Sequence, residues 1–328
     1  MKTAVLWRTG LADSHGDAAR ALLSDGAELI VEPDPVRAAA FASRARILVD
    51  PEPDEALLDG PALRHVIIPS AGVRPDLLER MRARPHLRLY NSHHHAPAVA
   101  EHAVALLLAC AHRLLEADRH LRRGSWLPRH DPSYTYVPLM SKTCLILGFG
   151  AIGRRVAGLV AGFGMRVTAL RRRSAAVEVP LAAAYGPTDL HTALADADAV
   201  IVTLPLTAET RSLLDAPAFA AMRVGVVVVN VGRGEVIDQH ALYRALRAGI
   251  VAAAGLDVWW NYPCSAEQRA RTMPSDAPLY KLPNVVMSPH RAGGSDEAGL
   301  ARSLDLAETI RSILAGGARN RVEPWRGY

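Results

Sequence analysis

The stretch Thr143-Cys-Leu-Ile-Leu-Gly148-Phe-Gly150-Ala-Ile-Gly153 decides the fold. Its first five residues are an apolar run that predicts a buried strand, and residues 154–162 after it have the pattern of a helix. A Gly-x-Gly-x-x-Gly turn between a strand and a helix is typical of a dinucleotide-binding site, because glycine permits a tight turn and a close approach of the backbone to a pyrophosphate. The predicted cofactor contacts in this turn are Gly148, Gly150, Ala151, Ile152 and Gly153.

Apolar strands alternate with helical segments on both sides of this turn. Strands are predicted before it at residues 3–8, 27–32, 46–50, 65–70 and 87–91, and from it onward at 143–147, 165–170, 199–204, 225–231, 251–258 and 284–288. Long helices are expected from about residue 99 to 123 and from about 298 to 315, the second followed by a polar tail. The alternation predicts an α/β fold with two doubly wound parallel sheets.

Composition excludes several classes of protein. Half of the 328 residues are hydrophobic, which is enough for packed cores. The three scattered cysteines indicate a reducing compartment and argue against disulfides or structural zinc. The longest apolar stretch, 103–111, is far below the roughly 20 residues of a membrane span, and the apolar N-terminus ends at Arg8, too early for a signal peptide. We therefore expect a cytoplasmic protein without a membrane partner.

The net charge of +5 raises the question of nucleic-acid binding. Lysine occurs only at positions 2, 142 and 281, so nearly all the positive charge is arginine spread along the chain. The densest clusters, 119–123 and 171–173, form no basic tail and carry no interleaved aromatic residues. We expect no nucleic-acid partner.

The residues that follow the second strand of the dinucleotide motif indicate which cofactor is bound. A site for NAD usually has an acidic residue about twenty positions after the glycines, where it binds the ribose 2′-hydroxyl. Arg171 stands there, followed by Arg172 and Arg173. Guanidinium groups bind phosphate through charge-assisted bonds, so the sequence favours NADP over NAD. The alternative is a surface turn in an arginine-rich chain.

Several further segments resemble, in order and spacing, the D-isomer-specific 2-hydroxyacid dehydrogenases. They are Val99-Ala-Glu-His102, Pro205-Leu-Thr-Ala-Glu-Thr210, Asn230-Val-Gly-Arg233-Gly-Glu-Val-Ile-Asp238, Gly255-Leu-Asp257-Val-Trp259 and Ser288-Pro-His290-Arg-Ala-Gly293. The resemblance implies a Rossmann dinucleotide-binding domain (98–292) inserted in a flavodoxin-like substrate-binding domain (1–97 and 293–328). It also implies a homodimer and a small 2-oxo or 2-hydroxy acid as substrate, with glyoxylate and hydroxypyruvate as default candidates.

Reduction of a 2-oxo acid needs a cationic clamp and a proton donor. Arg233 follows a buried strand and offers a planar fork for a carboxylate, and His290 carries the side chain best matched to proton transfer near neutral pH. By resemblance, Arg233 binds substrate, His290 is the acid and base, and Tyr262 belongs to the catalytic set. Further implied cofactor contacts are Leu204, Pro205, Thr210, Val231, Gly232, Arg233, Asp257, His290 and Gly293. Implied substrate contacts are Ala71, Gly72, Val73, His95, Arg233 and His290.

Two positions depart from the family pattern. Tyr262 stands where many relatives have a glutamate that pairs with the catalytic histidine, so we expect it to orient His290 and to leave the pKa near the ordinary ~6.5. If Tyr262 does not serve, Glu267 or Asp276 is the alternative partner. His95 stands where relatives often have asparagine; we expect it to line the substrate cleft and expect no metal site in the His93–His95 run. The long segment 264–282 is a candidate cover for the cleft.

Two other functions stay open from the sequence. Certain transcriptional corepressors resemble this family, so a dinucleotide-sensing regulatory protein with weak or no turnover is the alternative. A dehydrogenase of another small anion, such as formate or phosphite, is a third reading that no residue selects.

Overall fold

The structure is a computed structural model that describes residues 2–9, 13–172, 181–295 and 297–325. The chain divides into two compact units, unit 1 comprising Met1–His95 and Ser295–Tyr328, and unit 2 comprising Ala96–Gly294. Each boundary lies two residues from the one expected from the sequence.

The helices and strands are numbered along the chain. The first part of unit 1 forms β1 (Thr3–Trp7), α1 (Asp13–Leu23), β2 (Ala27–Val31), α2 (Pro35–Ala38), β3 (Ile47–Val49), α3 (Glu55–Leu58), β4 (His65–Ile67), α4 (Pro75–Arg82) and β5 (Arg88–Tyr90). Unit 2 forms α5 (Ala96–Ala111), α6 (Leu114–Leu121), α7 (Leu127–His130), β6 (Thr143–Leu147), α8 (Ala151–Gly162), β7 (Arg166–Leu170), β8 (Ala183–Tyr185), α9 (Leu190–Ala195), β9 (Ala199–Val202), α10 (Ala216–Ala220), β10 (Val226–Asn230), α11 (Gln239–Arg247), β11 (Val251–Leu256) and β12 (Val285–Met287). The chain returns to unit 1 with α12 (Ala298–Leu314) and β13 (Arg321–Val322).

Unit 1 is built on a sheet of order β13-β5-β4-β3-β1-β2. Strands β1 to β5 are parallel and lie in the flavodoxin-like order β2-β1-β3-β4-β5. Strand β13 pairs antiparallel with β5. Side chains of β1 alternate between two apolar clusters: Val5 and Trp7 pack with α12, and Leu6 packs with α4 on the other face. An apolar strand buried on both faces is what the sequence pattern predicted.

Unit 2 is built on a parallel sheet of order β12-β11-β10-β9-β6-β7-β8. The side chains of β6 alternate between two clusters, with Leu145 and Leu147 on one face and Cys144 and Ile146 on the other. Connections reverse direction beside β6, which is the position where open α/β sheets bind ligands. The expected fold class, two doubly wound parallel-sheet domains of which one is a Rossmann domain, is confirmed.

The helix expected over residues 99–123 is broken, and this part of the prediction was wrong. Between α5 and α6 the chain bends by 60°, and Arg113 takes a left-handed conformation with φ of +50°. Its guanidinium donates to the Glu116 carboxylate (2.8 Å) and to the Ser133 carbonyl (2.6 Å). These contacts fix the bend, while the apolar spacing continues across it and does not reveal it. No single helix in the described ranges is long and apolar enough to cross a membrane; only α5 and α6 taken together, across their bend, reach that length and composition.

Two strands were not anticipated. β8 has three residues and β13 has two, and each lies at the edge of its sheet. The segment after α12, expected only to be a polar tail, therefore contributes a strand to the unit 1 sheet. Short edge strands are half solvated and lack the apolar run by which strands are recognised.

Candidate active site

The glycine turn lies at the centre of the unit 2 sheet, directly after β6. Gly148 has a φ of +97°, which glycine adopts without steric cost. A Cβ atom on Gly153 would collide with the carbonyl oxygen of Gly148, so glycine is required where α8 packs on the turn. A Cβ atom on Gly150 would meet no atom within 4 Å. The space in front of α8 is therefore open.

This open space fits the pyrophosphate of a dinucleotide. Ala151 and Ile152 begin α8, and N–H groups in the first turn of a helix lack intrahelical partners. They carry partial positive charge directed at the opening. The residues predicted from the glycine motif thus form a turn that can accept two phosphates.

The loops after β9 and β10 lie at the same edge of the sheet. The Thr203 hydroxyl donates to the Gly148 carbonyl (2.7 Å), and a Cβ atom on Gly232 would lie 2.5 Å from the Leu204 carbonyl oxygen. Glycine therefore allows the two loops to approach each other. The Thr210 hydroxyl, expected to contact cofactor, donates to the Pro205 carbonyl (2.7 Å) and so folds its own loop.

The arginines after β7 are arranged differently from one another. The Arg171 N–H donates to the Tyr185 carbonyl (3.0 Å) and continues the strand pairing. The Arg172 guanidinium contacts the Glu209 carboxylate at 3.1 Å on the protein surface. Arg173 lies outside the described residues. Glu209 was not anticipated from the sequence, and it places a carboxylate beside a guanidinium expected to bind the 2′-phosphate.

Asn230 shapes the turn that carries Arg233. Its side chain is fully buried at the end of β10. The amide Nδ2 donates to the Arg233 carbonyl (2.9 Å), and Oδ1 accepts from the Gly232 N–H (3.0 Å). Arg233 Nη1 donates to the Gly232 carbonyl (2.6 Å). Asn230 was absent from the predicted site, although a polar residue ending an all-valine strand is a signal that could have identified it.

Asp257 holds the loop that carries His290. The carboxylate is almost fully buried and accepts bonds from the Ser288 hydroxyl (2.6 Å), the Arg291 N–H (3.0 Å) and the Ala292 N–H (3.1 Å). Between these anchors, His290 has a φ of +53°. Such a conformation costs energy in a non-glycine residue and persists only when its surroundings enforce it.

Two further side chains support the same loop. His102 on α5 lies 2.9 Å from the Ser288 hydroxyl through Nε2, and Trp259 Nε1 donates to the Ser288 carbonyl (2.8 Å). Both residues belong to the segments quoted for the family resemblance, but neither was predicted as part of the site. Their contribution depends on tertiary contacts that spacing along the chain does not reveal.

Tyr262 is the hydrogen-bond partner of His290. Its hydroxyl lies 2.9 Å from His290 Nδ1 and accepts a bond from the Trp259 backbone N–H (3.1 Å). Because that N–H occupies one side of the phenol oxygen, the phenol proton can point to Nδ1, which leaves the proton of a neutral imidazole on Nε2. Glu267 and Asp276, the alternative partners, bond to Ser265 and to Asn261 instead.

The electrostatic environment of His290 differs from the expectation. Partial burial lowers the pKa of His290 below its ordinary 6.5, Arg233 lowers it further, and Asp257 opposes them. The expected pKa near 6.5 is therefore wrong, because the sequence does not reveal burial or the nearness of Arg233. Burial also raises the pKa of Tyr262, which Arg233 partly offsets. Arg233, His290 and Tyr262 thus form one electrostatic cluster.

Comparison with known proteins identifies the family. Residues 104–292 match the model of the D-isomer specific 2-hydroxyacid dehydrogenase, NAD binding domain. The chain belongs to the D-isomer specific 2-hydroxyacid dehydrogenase family. The resemblance stated from the sequence is thereby confirmed, and unit 2 contains the NAD-binding domain of this family.

Individual family members differ in how much of the chain they match. Glyoxylate/hydroxypyruvate reductase B of Salmonella typhi is 37% identical over 293 residues, or 88% of this chain and 87% of the relative. D-3-phosphoglycerate dehydrogenase of Mycobacterium leprae is 39% identical over 222 residues, 67% of this chain but only 39% of that longer protein. A D-isomer specific 2-hydroxyacid dehydrogenase from Xanthobacter autotrophicus Py2, solved in complex with NADPH and MES, matches with a TM-score of 0.78 at 27% identity over the full length of both chains.

The family pattern also implied substrate contacts in unit 1. Ala71, Gly72 and Val73 follow β4, and the Asn91 side chain, at the end of β5, donates to the Ala71 carbonyl (2.7 Å). Within the described ranges, neither the Gly72 nor the Val73 N–H donates to a protein acceptor. These N–H groups can therefore donate hydrogen bonds to an anion.

The histidine run lies at the end of the first part of unit 1. His94 and His95 stack edge to face with ring centroids 5.0 Å apart, and His94 Nδ1 lies 2.9 Å from the Ser92 hydroxyl. Among the described residues, no group of three histidine, cysteine or acidic side chains could hold a metal ion.

The long segment 264–282 is anchored in unit 2 over its second half. Trp260 and Asn261 donate their backbone N–H groups to the Pro274 carbonyl, and Gln239 Oε1 accepts from the Asp276 N–H at 2.8 Å. Leu279 is fully buried in the core of unit 2. This half of the segment is part of the packed structure.

Proposed function

We propose that this chain is an NADPH-dependent reductase that converts small 2-oxo acids to D-2-hydroxy acids, with glyoxylate and hydroxypyruvate as the first candidates. The observation that carries the proposal is that Asn230 and Asp257 hold Arg233 and His290 on loops at the same end of one parallel sheet as the glycine turn. A guanidinium beside an imidazole suits an anionic substrate whose carbonyl must be protonated. The reductase among the relatives is consistent with this activity.

Each residue has a distinct part in the proposed reaction. The guanidinium of Arg233 binds the carboxylate and polarises the carbonyl. In unit 1, the N–H groups of Gly72 and Val73 are proposed to bind an anion. NADPH, when bound, supplies the hydride. Protonated His290 gives its Nε2 proton to the oxygen of the reduced carbonyl, and neutral His290 takes it back in oxidation. Tyr262 fixes the ring through Nδ1.

The proposed preference for NADPH rests on the residues that end β7. No acidic residue follows the strand directly, and Arg171 and Arg172 stand where a 2′-phosphate would lie. The Arg172–Glu209 ion pair is exposed, and exposed pairs contribute only about 0–1 kcal/mol. A phosphate that carries nearly two charges can therefore displace Glu209 from Arg172.

We also propose a cytoplasmic homodimer. A run of apolar side chains on α6, α7 and the following segment is exposed: Leu114, Leu115, Leu121, Trp126, Leu127, Tyr136 and Met140. Clustered apolar exposure of this kind marks interaction surfaces, and the family resemblance implies a twofold contact in this region.

Turnover tests the proposed function. NADPH oxidation is measured against a panel of 2-oxo acids with the native protein, His290→Ala and the control His191→Ala, which alters an exposed histidine on α9. We expect turnover that falls by 10²–10⁴ in His290→Ala, the usual contribution of a general acid, and is unchanged in the control. Tight NADPH binding without reduction of any 2-oxo acid would favour the dinucleotide-sensing alternative.

A further inference from the structure

Four cations are aligned along one edge of the unit 1 sheet. Lys2, Arg46 and Arg64 directly precede β1, β3 and β4, and Arg88 begins β5. These four strands are neighbours in the sheet. Adjacent strands lie about 4.8 Å apart, so the four side chains start from a row about 15 Å long. The row lies where the strands begin, whereas the Gly72 loop follows the opposite end of β4.

A groove of about 590 Å³ runs along part of this row. It is lined by Lys2, Thr3, Ala4, Glu28, Arg44, Arg46, Ala62 and Arg64. Glu28 is the single acidic residue in this lining, and the guanidinium of Arg44 already pairs with it at 3.0 Å. Within the described part of the chain, no carboxylate lies within ion-pairing distance of Arg46, Arg64 or Arg88. The groove therefore carries uncompensated positive charge.

His65 lies beside this row of cations and is affected by its charge, although burial is the larger cause of its lowered pKa. It begins β4, is half-buried, and its Nδ1 lies 3.2 Å from the Tyr90 hydroxyl. Burial lowers the pKa of His65 to about 4, and Arg88, Arg46 and Arg64 add to the effect. An environment that disfavours one more cation favours an anion by the same Coulomb interaction.

We propose that this groove is a second ligand site, separate from the active site, that binds a small anion with two or more phosphate groups. Guanidinium groups match phosphate oxygens through paired hydrogen bonds. Lys2, Arg46 and Arg64, which line the groove, start from three adjacent strands and so span about 10 Å. They can engage several linked phosphates at once, whereas a single phosphate would reach only part of the row. Among the described residues, no aromatic side chain lines the groove, so it offers no stacking platform for a nucleobase. The groove would therefore recognise the ligand through its phosphate groups alone.

Calorimetric titration with sodium triphosphate tests this site. The titration uses the full chain with saturating NADPH, so that the glycine turn is occupied, and buffers of matched ionic strength. The variants are Arg46→Gln/Arg64→Gln and the control Arg269→Gln/Arg271→Gln, which removes two exposed arginines of unit 2. We expect the groove variant to bind triphosphate at least tenfold more weakly than the native protein and the control to bind it equally.

Three outcomes would overturn the proposal. They are no binding to the native protein, equal binding by the groove variant, and an equal loss in the control, which would show attraction to net charge alone. The melting temperature of each variant is measured alongside, because Arg64 also donates to the Pro61 and Leu63 carbonyls. If the double variant melts lower than the native protein, the single variant Arg46→Gln is titrated in its place and should also bind triphosphate more weakly; equal binding by it would overturn the proposal.

His65 gives an independent local readout. Bound triphosphate places negative charge beside Arg46 and Arg64, so the pKa of His65, followed by its ring proton resonance, should rise when the protein is saturated. An unchanged pKa of His65 in the saturated protein would mean that the anion binds elsewhere.

Discussion

His290, the proposed acid and base, has the neutral Tyr262 as its hydrogen-bond partner where the family pattern has a carboxylate. A carboxylate at Nδ1 favours the imidazolium, whereas a phenol can accept from the imidazolium or donate to the neutral ring and so favours neither. Burial and Arg233 then lower the pKa of His290. Reduction needs protonated His290, so its kcat/KM should be constant below that pKa and fall as the pH rises through it, below 6.5. Oxidation needs the neutral ring and should show the opposite dependence.

The substitution Tyr262→Glu tests this assignment. The introduced carboxylate should raise the pKa of His290, so that reduction persists to a pH at least one unit higher than in the native protein. Tyr262→Phe is the control: it loses the hydrogen bond, should reduce kcat, and should leave the pH limit low. Full pH profiles of kcat/KM for reduction check both. A native rate that stays flat up to pH 9 would exclude His290 as the acid.

If Glu209 and the 2′-phosphate of NADPH compete for Arg172, two substitutions should change the affinity for NADPH in opposite directions. Arg171→Asp should weaken NADPH binding by about 1–3 kcal/mol, the value of a hydrogen bond to a charged group, with little effect on NADH. Glu209→Gln removes the carboxylate beside Arg172 and should tighten NADPH binding about two- to fivefold, as expected for an exposed ion pair. Fluorescence titration measures the dissociation constants of NADPH and NADH for each variant. Equal changes for the two cofactors would show that these residues do not determine the preference for NADPH.

At the scale of elements, two buried side chains place the catalytic groups at the ends of strands. Asn230 folds the turn after β10 that carries Arg233, and Asp257 ties down the loop after β12 that carries His290. Both anchors follow parallel strands of one sheet, so their loops emerge at the same edge. The turn that carries Arg233 and the loop that carries His290 are thus held in place by side chains buried in the interior of unit 2.

Removal of the Asp257 carboxylate should affect both stability and rate. Asp257→Ala leaves the Arg291 and Ala292 N–H groups without an acceptor, each costing about 1–3 kcal/mol, so we expect a loss of about 2–4 kcal/mol after relaxation. The kcat for reduction should fall more than NADPH affinity, because His290 loses its support. Urea unfolding and steady-state kinetics measure this, with exposed Asp276→Ala as control. A variant as stable as the native protein would contradict the anchoring role.

Elements that are fixed by contacts between adjacent residues were predicted well from the sequence, and elements that depend on distant contacts were not. β6, the glycine turn and α8 are specified by adjacent residues, and the sequence predicted them to within a few positions. The break at Arg113 depends on the distant Ser133 carbonyl and was missed. In the candidate site, Arg233 and His290 were proposed from local motifs. Asn230 bonds to neighbouring residues and could have been identified from its place at the end of an all-valine strand, whereas His102 acts through a contact with the distant Ser288. The pKa of His290 was misjudged because burial is a tertiary property.

At the scale of the whole molecule, each unit has its own sheet and two apolar clusters, and charge and apolar exposure are unevenly distributed. Positive charge concentrates at the strand starts of unit 1, where the proposed anion groove lies. Apolar exposure concentrates on residues 114–140 of unit 2. A monomer without further ligands would be expected to have its positive charge and its exposed apolar side chains evenly spread. The clustering of each indicates interactions beyond the active site.

The proposed dimer predicts the effect of charge on the exposed apolar run. Leu121→Glu/Trp126→Glu should convert a dimer to a monomer, because charges buried without partners are strongly unfavourable in an interface. Val224→Glu, at a still more exposed apolar position elsewhere in unit 2, should leave the dimer intact. Light scattering after gel filtration gives the masses. A native protein that is monomeric at micromolar concentration would end this proposal.

The most direct test of the account is a double-mutant cycle on Arg233 and His290. The kcat/KM for NADPH-dependent reduction of glyoxylate, or of whichever 2-oxo acid is turned over fastest, is measured for the native protein, Arg233→Gln, His290→Ala and the double variant. If both side chains act on one substrate in one transition state, each single substitution should cost at least a hundredfold, and the double variant should lose far less than the product of the two. A single variant that keeps more than a tenth of native activity, or strictly multiplicative losses, would contradict the claim.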